Sequence, residues 1–119
     1  MTTQPAHPAS EQRFIKFADI AYTEVAPGMR RKIMAQGPDI MSVYVEYEKG
    51  AIGAAHKHPH RQISCIVKGS FKVRIGDETR ILKTGDHYYI PANIEHGVEA
   101  LEESILIDMF TPRREDFIA

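Results

Sequence analysis

Three histidines and one glutamine lie within the short segment HKHPHRQ, at His56, His58, His60 and Gln62. Imidazole nitrogen is a good ligand for zinc, copper, iron and nickel. In an extended strand, residues two apart project from the same face, so His56 and His58 are predicted to present both rings to one point. Such a pair is half of a metal site, although pairs of this kind also occur as exposed surface residues.

Two more residues are candidates for the rest of this site. Gln62 joins it if the chain turns at Pro59 and re-enters a strand, and the best distant candidate is His96 in the segment IPANIEHG. His60 lies between two candidate ligands and is predicted to face the other side. For His87, which adjoins two tyrosines, the sequence favours a structural role over a catalytic one.

A carboxylate stands in an unexpected place near the end of the chain. In the segment SILIDMF, Asp108 shares one face of an alternating strand with Leu106 and Phe110. An unpaired buried carboxylate is costly, so stability alone does not explain it. Two interpretations stay open: a core salt bridge to Arg113 or Arg114, or an aspartate that faces a cavity.

The elements that must position these residues are predicted to be strands. Short segments such as MSVYVEYE, SFKVRIG and ETRILK alternate apolar and polar residues, and no long segment has a helical period. Turn signals separate them, among them Gly76-Asp77 as a tight hairpin. The pattern predicts an all-β sandwich or barrel with strands at Tyr22–Val25, Arg31–Ala35, Met41–Glu48, Ala54–His58, Gln62–Lys68, Phe71–Ile75, Thr79–Lys83, His87–Ile90, Gly97–Ala100 and Ser104–Phe110. The final segment, TPRREDFIA, is predicted to leave the sheet and cross its edge or mouth.

Composition limits the classes of function. A chain of 119 residues suits one domain with a real core. With 15 basic and 16 acidic side chains, the formal charge of -1 gives no electrostatic bias toward nucleic acid or an anionic membrane, and neither is expected as a partner. The single cysteine, Cys65, excludes an intramolecular disulfide and a multi-cysteine metal site. Residues 1–12 are polar and predict a flexible tail in a cytoplasmic protein, and no segment is apolar enough to span a membrane.

The spacing of these motifs resembles the two conserved motifs of the cupin superfamily. The first runs from Gly50 through the histidine segment to Gly69, and the second is GDHYYIPANIEH. The resemblance implies a small single-domain jelly-roll β-barrel, the double-stranded β-helix, over residues 13–119. It also implies a divalent metal ion, nickel, zinc, manganese or iron, bound by His56, His58, Gln62 and His96. The chain departs from the general pattern at Gln62, where glutamate is usual, at Asn93, where glycine is usual, and at Ala100, where asparagine often follows. Asparagine tolerates a positive φ, so the turn at Asn93 is expected to form.

A narrower resemblance covers residues 27–119. The segments GMRRKIM, HKHPHRQ, IPANIEHGVEALE and DMFTPRREDF together look like the KdgF family of pectin-degradation cupins. This resemblance implies an enzyme that opens the ring of 4,5-unsaturated uronates from pectin or alginate to give the linear 4-deoxy-5-keto-uronate. It assigns catalysis and substrate binding to Asp108 and Arg114. A homodimer is also expected, because small cupins of this kind usually pair and an exposed sheet edge favours it.

Two other functions stay open at this point. A cupin dioxygenase would share the fold and most ligands, but it would need a redox metal with open positions for O₂ and substrate. A neutral amide at Gln62 leaves the full dipositive charge on the ion, which favours Lewis-acid chemistry over oxidation. The second alternative is a non-catalytic sugar-binding cupin, which predicts affinity without turnover and leaves Asp108 and Arg114 without a role.

Overall fold

The computed structural model describes residues 12–118 of the chain. Ten strands and two short helical segments make up this described part of the fold. The strands are β1 Thr23–Ala26, β2 Met29–Gly37, β3 Ile40–Tyr47, β4 Ile52–His56, β5 Arg61–Lys68, β6 Ser70–Ile75, β7 Glu78–Lys83, β8 His87–Ile90, β9 His96–Ala100 and β10 Ser104–Thr111. A single 3-10 turn covers Phe17–Asp19, and the short helix α1 covers Glu115–Ile118.

The strands form two antiparallel sheets. The larger sheet has the order β1-β2-β3-β10-β5-β8, and the smaller has the order β4-β9-β6-β7. One buried apolar cluster contains residues from both sheets, including Val43, Ile66, Phe71, Ala100 and Leu106. The two sheets therefore pack face to face as a jelly-roll sandwich, and the all-β prediction is confirmed.

Each of the ten predicted strands is present, with most ends shifted by one or two residues. Gly76-Asp77 joins β6 to β7, and Gly76 has a φ of 59°, the left-handed conformation that a tight hairpin turn favours. Asn93 has a φ of 63°, as expected for a residue that replaces glycine in a turn. The predicted tail lies outside the described residues apart from Gln12. Within residues 12–118, neither helical segment has the length or apolarity to cross a bilayer.

Two details differ from the prediction. Strand β4 ends at His56, so His58 belongs to the loop that precedes β5 and not to the strand. The segment after β10 does leave the sheet, but it forms the helix α1, which is too short for a helical period to show in the sequence.

Strand register places the candidate site residues together. Asp108 pairs with Ser64 across β10 and β5, and the next inward pair along the same strands is Phe110 with Gln62. In the smaller sheet, His56 at the end of β4 pairs with His96 at the start of β9. These pairs bring side chains from both sheets to one end of the space between them.

Candidate metal centre

Three histidines converge between the two sheets. One ring nitrogen from each of His56, His58 and His96 lies within 4.8 Å of the other two. The His56 and His96 rings are 4.6 Å apart between centroids, and the His58 ring is 4.8 Å from that of His96. His58 and His96 are buried, whereas His56 is exposed at the rim. Solvent therefore reaches the cluster at His56.

Backbone carbonyls orient all three rings. The Nδ1 atom lies 2.8 Å from Ala54 O in His56, 3.0 Å from His60 O in His58, and 2.8 Å from Ile94 O in His96. A carbonyl oxygen only accepts, so each Nδ1 carries a hydrogen and donates it. In the neutral rings the lone pair is then on Nε2, the arrangement typical of metal-ligating histidines.

Among the described residues, no group donates a hydrogen bond to the Nε2 lone pair of His96 or to that of His58. The Nε2 atom of His96 is buried and has no hydrogen-bond partner among the described residues. The Nε2 atom of His58 lies 3.1 Å from Oε1 of Gln62, an acceptor. The orientation of the Gln62 amide is fixed because its Nε2 donates to Ser64 Oγ at 2.9 Å and to Asp108 Oδ1 at 3.3 Å. Acceptors that face one another in a buried site fit a cation between them.

The electrostatics of the site favour neutral histidines. Burial, together with the positive charges of neighbouring groups, lowers the pKa of His96 to about 4, although the hydrogen bond to Ile94 acts in the opposite direction. Burial also lowers the pKa of His58, with a smaller contribution from the charge of Arg114. Both rings are therefore deprotonated at neutral pH, the state that binds a metal ion.

Asp108 lies beside this cluster and lines the same cavity as His56, Gln62 and His96. Its Oδ1 accepts hydrogen bonds from Ser64 Oγ at 2.5 Å and from Gln62 Nε2 at 3.3 Å. Burial raises the pKa of Asp108 to about 6, while these two hydrogen bonds lower it. Of the two interpretations of this residue, the structure has the cavity-facing one, and no ion pair between Asp108 and an arginine occurs within residues 12–118.

Arg114 is almost fully buried and lines the cavity as well, at 7% exposure. Its guanidinium donates two hydrogen bonds to Asp116, from Nε to Oδ1 at 3.0 Å and from Nη2 to Oδ2 at 2.7 Å. The ring of Phe117 lies 4.2 Å from its guanidinium carbon. Helix α1 thus supplies both a counter-ion and an aromatic face that hold Arg114 at the cavity.

Comparisons with known proteins agree with this architecture. The cupin domain family matches residues 43–110. The pectin degradation protein KdgF of Dickeya dadantii is 47% identical over 109 residues, which cover 90% of this chain and 99% of that protein. The chain belongs to the KdgF family of cupins. The structure of KdgF from a Halomonas species has a TM-score of 0.85 at 41% identity, covering 89% of this chain and 98% of that one. An RmlC-like cupin from Shewanella frigidimarina has a TM-score of 0.86 at 31% identity, covering 91% and 98%.

In this member of the KdgF family, His60 and His87 lie outside the cluster of three histidines. His60 packs its ring 5.4 Å from that of His58, between centroids, but it is not one of the three converging residues. His87 is exposed, and its Nδ1 bonds the carbonyl of Gly85. Sequence reasoning missed Ser64 and Asp116, which contact the two predicted catalytic residues. The alternation of β5 places Ser64 inward beside Gln62, so the signal for Ser64 was present.

Proposed function

We propose that this protein is a metal-dependent enzyme that opens the ring of 4,5-unsaturated uronates from pectin or alginate breakdown to give the linear 4-deoxy-5-keto-uronate. The observation that carries the proposal is the cluster of inward-facing acceptors, three imidazoles and one amide oxygen, with the carboxylate of Asp108 beside it. The name of the Dickeya relative, a pectin degradation protein, supports the same substrate class.

A divalent ion, nickel, zinc, manganese or iron, would be held by Nε2 of His56, His58 and His96 and by Oε1 of Gln62. Each of these atoms is the acceptor left over when the other end of its side chain has donated to a fixed partner. The donor set of nitrogen and neutral oxygen suits these metals. When bound, the ion supplies a Lewis acid at the side of the cavity.

Asp108 moves the protons in this proposal. The substrate is a cyclic hemiacetal whose ring oxygen is attached to an alkene carbon that bears the carboxylate. Because Oδ1 already accepts bonds from Ser64 and Gln62, Oδ2 is the oxygen that takes the anomeric hydroxyl proton. The bond from the anomeric carbon to the ring oxygen then breaks and leaves an aldehyde and an enolate. Return of the proton from Asp108 to the alkene carbon next to the carbon that bears the carboxylate converts the enolate into the ketone, so the reaction is an isomerisation.

Arg114 is proposed to hold the substrate carboxylate. Its Nε and Nη2 atoms are bound by Asp116, so the remaining edge of the guanidinium, around Nη1, is available to the cavity. A guanidinium that is fixed by a carboxylate and an aromatic ring loses little entropy when it binds. Arg114 therefore orients the substrate so that the anomeric hydroxyl reaches Asp108.

The protein is further proposed to act as a homodimer. The outer face of the larger sheet exposes Ile63 and Val67 on β5 and Tyr89 on the edge strand β8, at 46%, 42% and 52% exposure. Exposed apolar side chains next to a sheet edge are typical of an interface. Sedimentation velocity should show a dimer that Ile63→Lys dissociates, whereas Ile81→Lys, on the outer strand of the smaller sheet, should leave it intact. A parent protein that sediments as a monomer would contradict the proposal.

The ring-opening proposal is tested with the unsaturated galacturonate monomer released by a pectate lyase. We expect the absorbance of its alkene band to decay faster with the protein than in buffer, and proton NMR to show the linear keto product. Decay unchanged from buffer would overturn the proposal. Binding of the monomer without faster decay would instead favour the sugar-binding alternative, and oxygen uptake during decay would favour the dioxygenase.

A further inference from the structure

Arg31 is the second guanidinium at the cavity, and nothing in the proposed mechanism uses it. It lies on β2 opposite Val45, a buried core residue, so its side chain points between the sheets. It is half-buried and lines the same cavity as Asp108. Its guanidinium carbon lies 3.7 Å from the centre of the Phe117 ring.

The two guanidinium groups differ in their counter-ions. Arg114 has Asp116, which binds it through two hydrogen bonds. Arg31 forms no ion pair or side-chain hydrogen bond with any residue between 12 and 118. Burial lowers the pKa of Arg31 and the nearby charge of Arg114 lowers it further, while the charge of Asp116 acts in the opposite direction. The nearest carboxylate, Asp116, is thus already hydrogen-bonded to Arg114, and the N–H groups of Arg31 have no protein partner among the described residues.

An arginine withdrawn from water without an acidic partner is costly, and an anion bound beside it offsets that cost. The planar fork of a guanidinium matches a carboxylate with two parallel hydrogen bonds. Stacking on Phe117 holds the plane of the Arg31 fork without occupying its N–H groups. Arg31 thus has the features of a carboxylate-binding group whose partner is a ligand.

We propose that Arg31 binds the carboxylate of a small sugar acid in the cavity, together with Arg114, and so selects anionic over neutral sugars. The identity of the ligand as a uronate rests on the proposed function, whereas the need for an anion rests on the half-buried guanidinium of Arg31, which has no ion pair within residues 12–118. In this arrangement both guanidinium groups contact the Phe117 ring, with their central carbons 3.7 Å and 4.2 Å from its centre.

The test compares Arg31→Gln with Arg30→Gln. Arg30 is the adjacent residue on β2, but it is exposed and pairs with Glu46 at 3.1 Å, so it is a matched control for the loss of one charge. Isothermal titration with saturated galacturonate, which lacks the alkene and is not turned over, measures affinity, and galactose serves as the neutral sugar. We expect Arg31→Gln to weaken galacturonate binding about tenfold or more. Arg30→Gln should bind like the parent, and Arg31→Lys should be intermediate because it keeps the charge but loses the fork.

Thermal unfolding separates this role from a structural one. Removal of an unpaired, half-buried charge should leave the melting temperature of Arg31→Gln unchanged or raised. If Arg31 only packs on Phe117, the melting temperature should fall while affinity for galacturonate is unaltered, and that result overturns the inference. A parent protein that does not bind galacturonate also overturns it.

The two proposals fail in different ways. Arg31-dependent binding of galacturonate with no acceleration of ring opening would leave this inference standing and reject the proposed function. If the parent protein accelerates ring opening and Arg31→Gln has the same affinity for galacturonate and the same KM, the proposed function stands and this inference is rejected.

Discussion

The amide Nε2 of Gln62 donates a hydrogen bond to Oδ1 of Asp108 at 3.3 Å, while its Oε1 faces His58. The Gln62 side chain therefore contributes an acceptor atom to the histidine cluster and also donates a hydrogen bond to the Asp108 carboxylate beside it. A glutamate at this position would have no hydrogen to donate, and it would place a second negative charge against Asp108. This contact gives a physical reason for glutamine in place of the glutamate that is usual in cupins.

The first prediction concerns Gln62→Glu. The variant should keep its metal, because a carboxylate binds divalent ions at least as well as an amide does. Its turnover should fall by about tenfold or more, since the ion loses effective charge and Asp108 loses a hydrogen-bond donor. Metal content and steady-state rates are measured together. Ser64→Ala is the companion variant, because it removes a donor to Asp108 without adding charge. A Gln62→Glu variant faster than the parent would show that the Lewis-acid argument is wrong.

The second prediction concerns the metal. In a structure of the loaded protein, the Nε2 atoms of His56, His58 and His96 should lie about 2.0–2.3 Å from one ion. Chelation should lower the melting temperature and re-addition of metal should restore it, because an ion that binds only the folded state stabilises it by about 2.7 kcal/mol at a hundredfold excess over Kd. Elemental analysis identifies the ion.

His96→Ala should lose most of the bound metal and the response to chelation. The control is His87→Ala, because His87 is exposed and lies outside the cluster. Equal metal content in both variants, or histidine side chains that point apart in the loaded protein, would contradict the metal centre.

The sequence predicted the strands well because most of them bury one face. Burial of one face produces the alternation of apolar and polar residues from which the strands were predicted. The sequence also predicted that His58 lies beside His56, but on the basis of a shared strand that the structure does not have. His58 reaches the cluster from a loop after β4 and is held by its hydrogen bond to His60 O, so the spacing of a strand does not account for it. Loop conformations of this kind leave no periodic trace in a sequence.

Other parts of the site depend on contacts that periodicity does not encode. Arg114 directly precedes a four-residue helix that contains its partner Asp116, and a periodic pattern cannot develop in so short a helix. Arg31 was predictable in principle, because Met29 and Ile33 flank it on the inward face of β2, and a charged residue in such a position resembles the case of Asp108. That Arg31 has no ion pair within residues 12–118, by contrast, can be seen only in the three-dimensional structure.

The third prediction is a pH dependence of stability at the Arg114–Asp116 pair. The hydrogen bond from Arg114 lowers the pKa of Asp116 below its ordinary value of 3.8. A lowered pKa means that the folded state favours the ionised form, so this stabilisation is present above the unfolded value and is lost as the pH falls through the folded one. Asp116→Asn should lower the free energy of unfolding at pH 7 by up to about 1 kcal/mol, because Asp116 is largely exposed.

Urea unfolding of the parent and Asp116→Asn at pH 7 and near pH 3 measures this effect, and the difference between them should shrink at the lower pH. Glu78→Gln is the control, since its pair with Arg80 is exposed on both sides. A difference that is the same at both values of pH would show that Asp116 stabilises the protein without its charge.

The fourth prediction concerns substrate capture by Arg114. Arg114→Ala should raise KM more than it lowers kcat, because the carboxylate of the substrate loses a charged partner that it has before and during the reaction. Metal content should be unchanged, since Arg114 is not among the converging residues. A large fall in kcat at constant KM would assign Arg114 to the chemical step.

The fifth prediction concerns Asp108→Asn, which keeps the size of the side chain and its ability to accept from Ser64 and Gln62 but removes the group that carries the proton. Turnover should fall by at least the roughly 10²-fold typical of losing a general acid–base, with metal content intact. The melting temperature should not fall, because burial disfavours the charged carboxylate and the neutral amide avoids that cost. If Asp108 is instead a structural residue, the variant would lose thermal stability while the folded fraction keeps near-parental activity. Melting temperature and turnover measured on the same preparation decide between these outcomes.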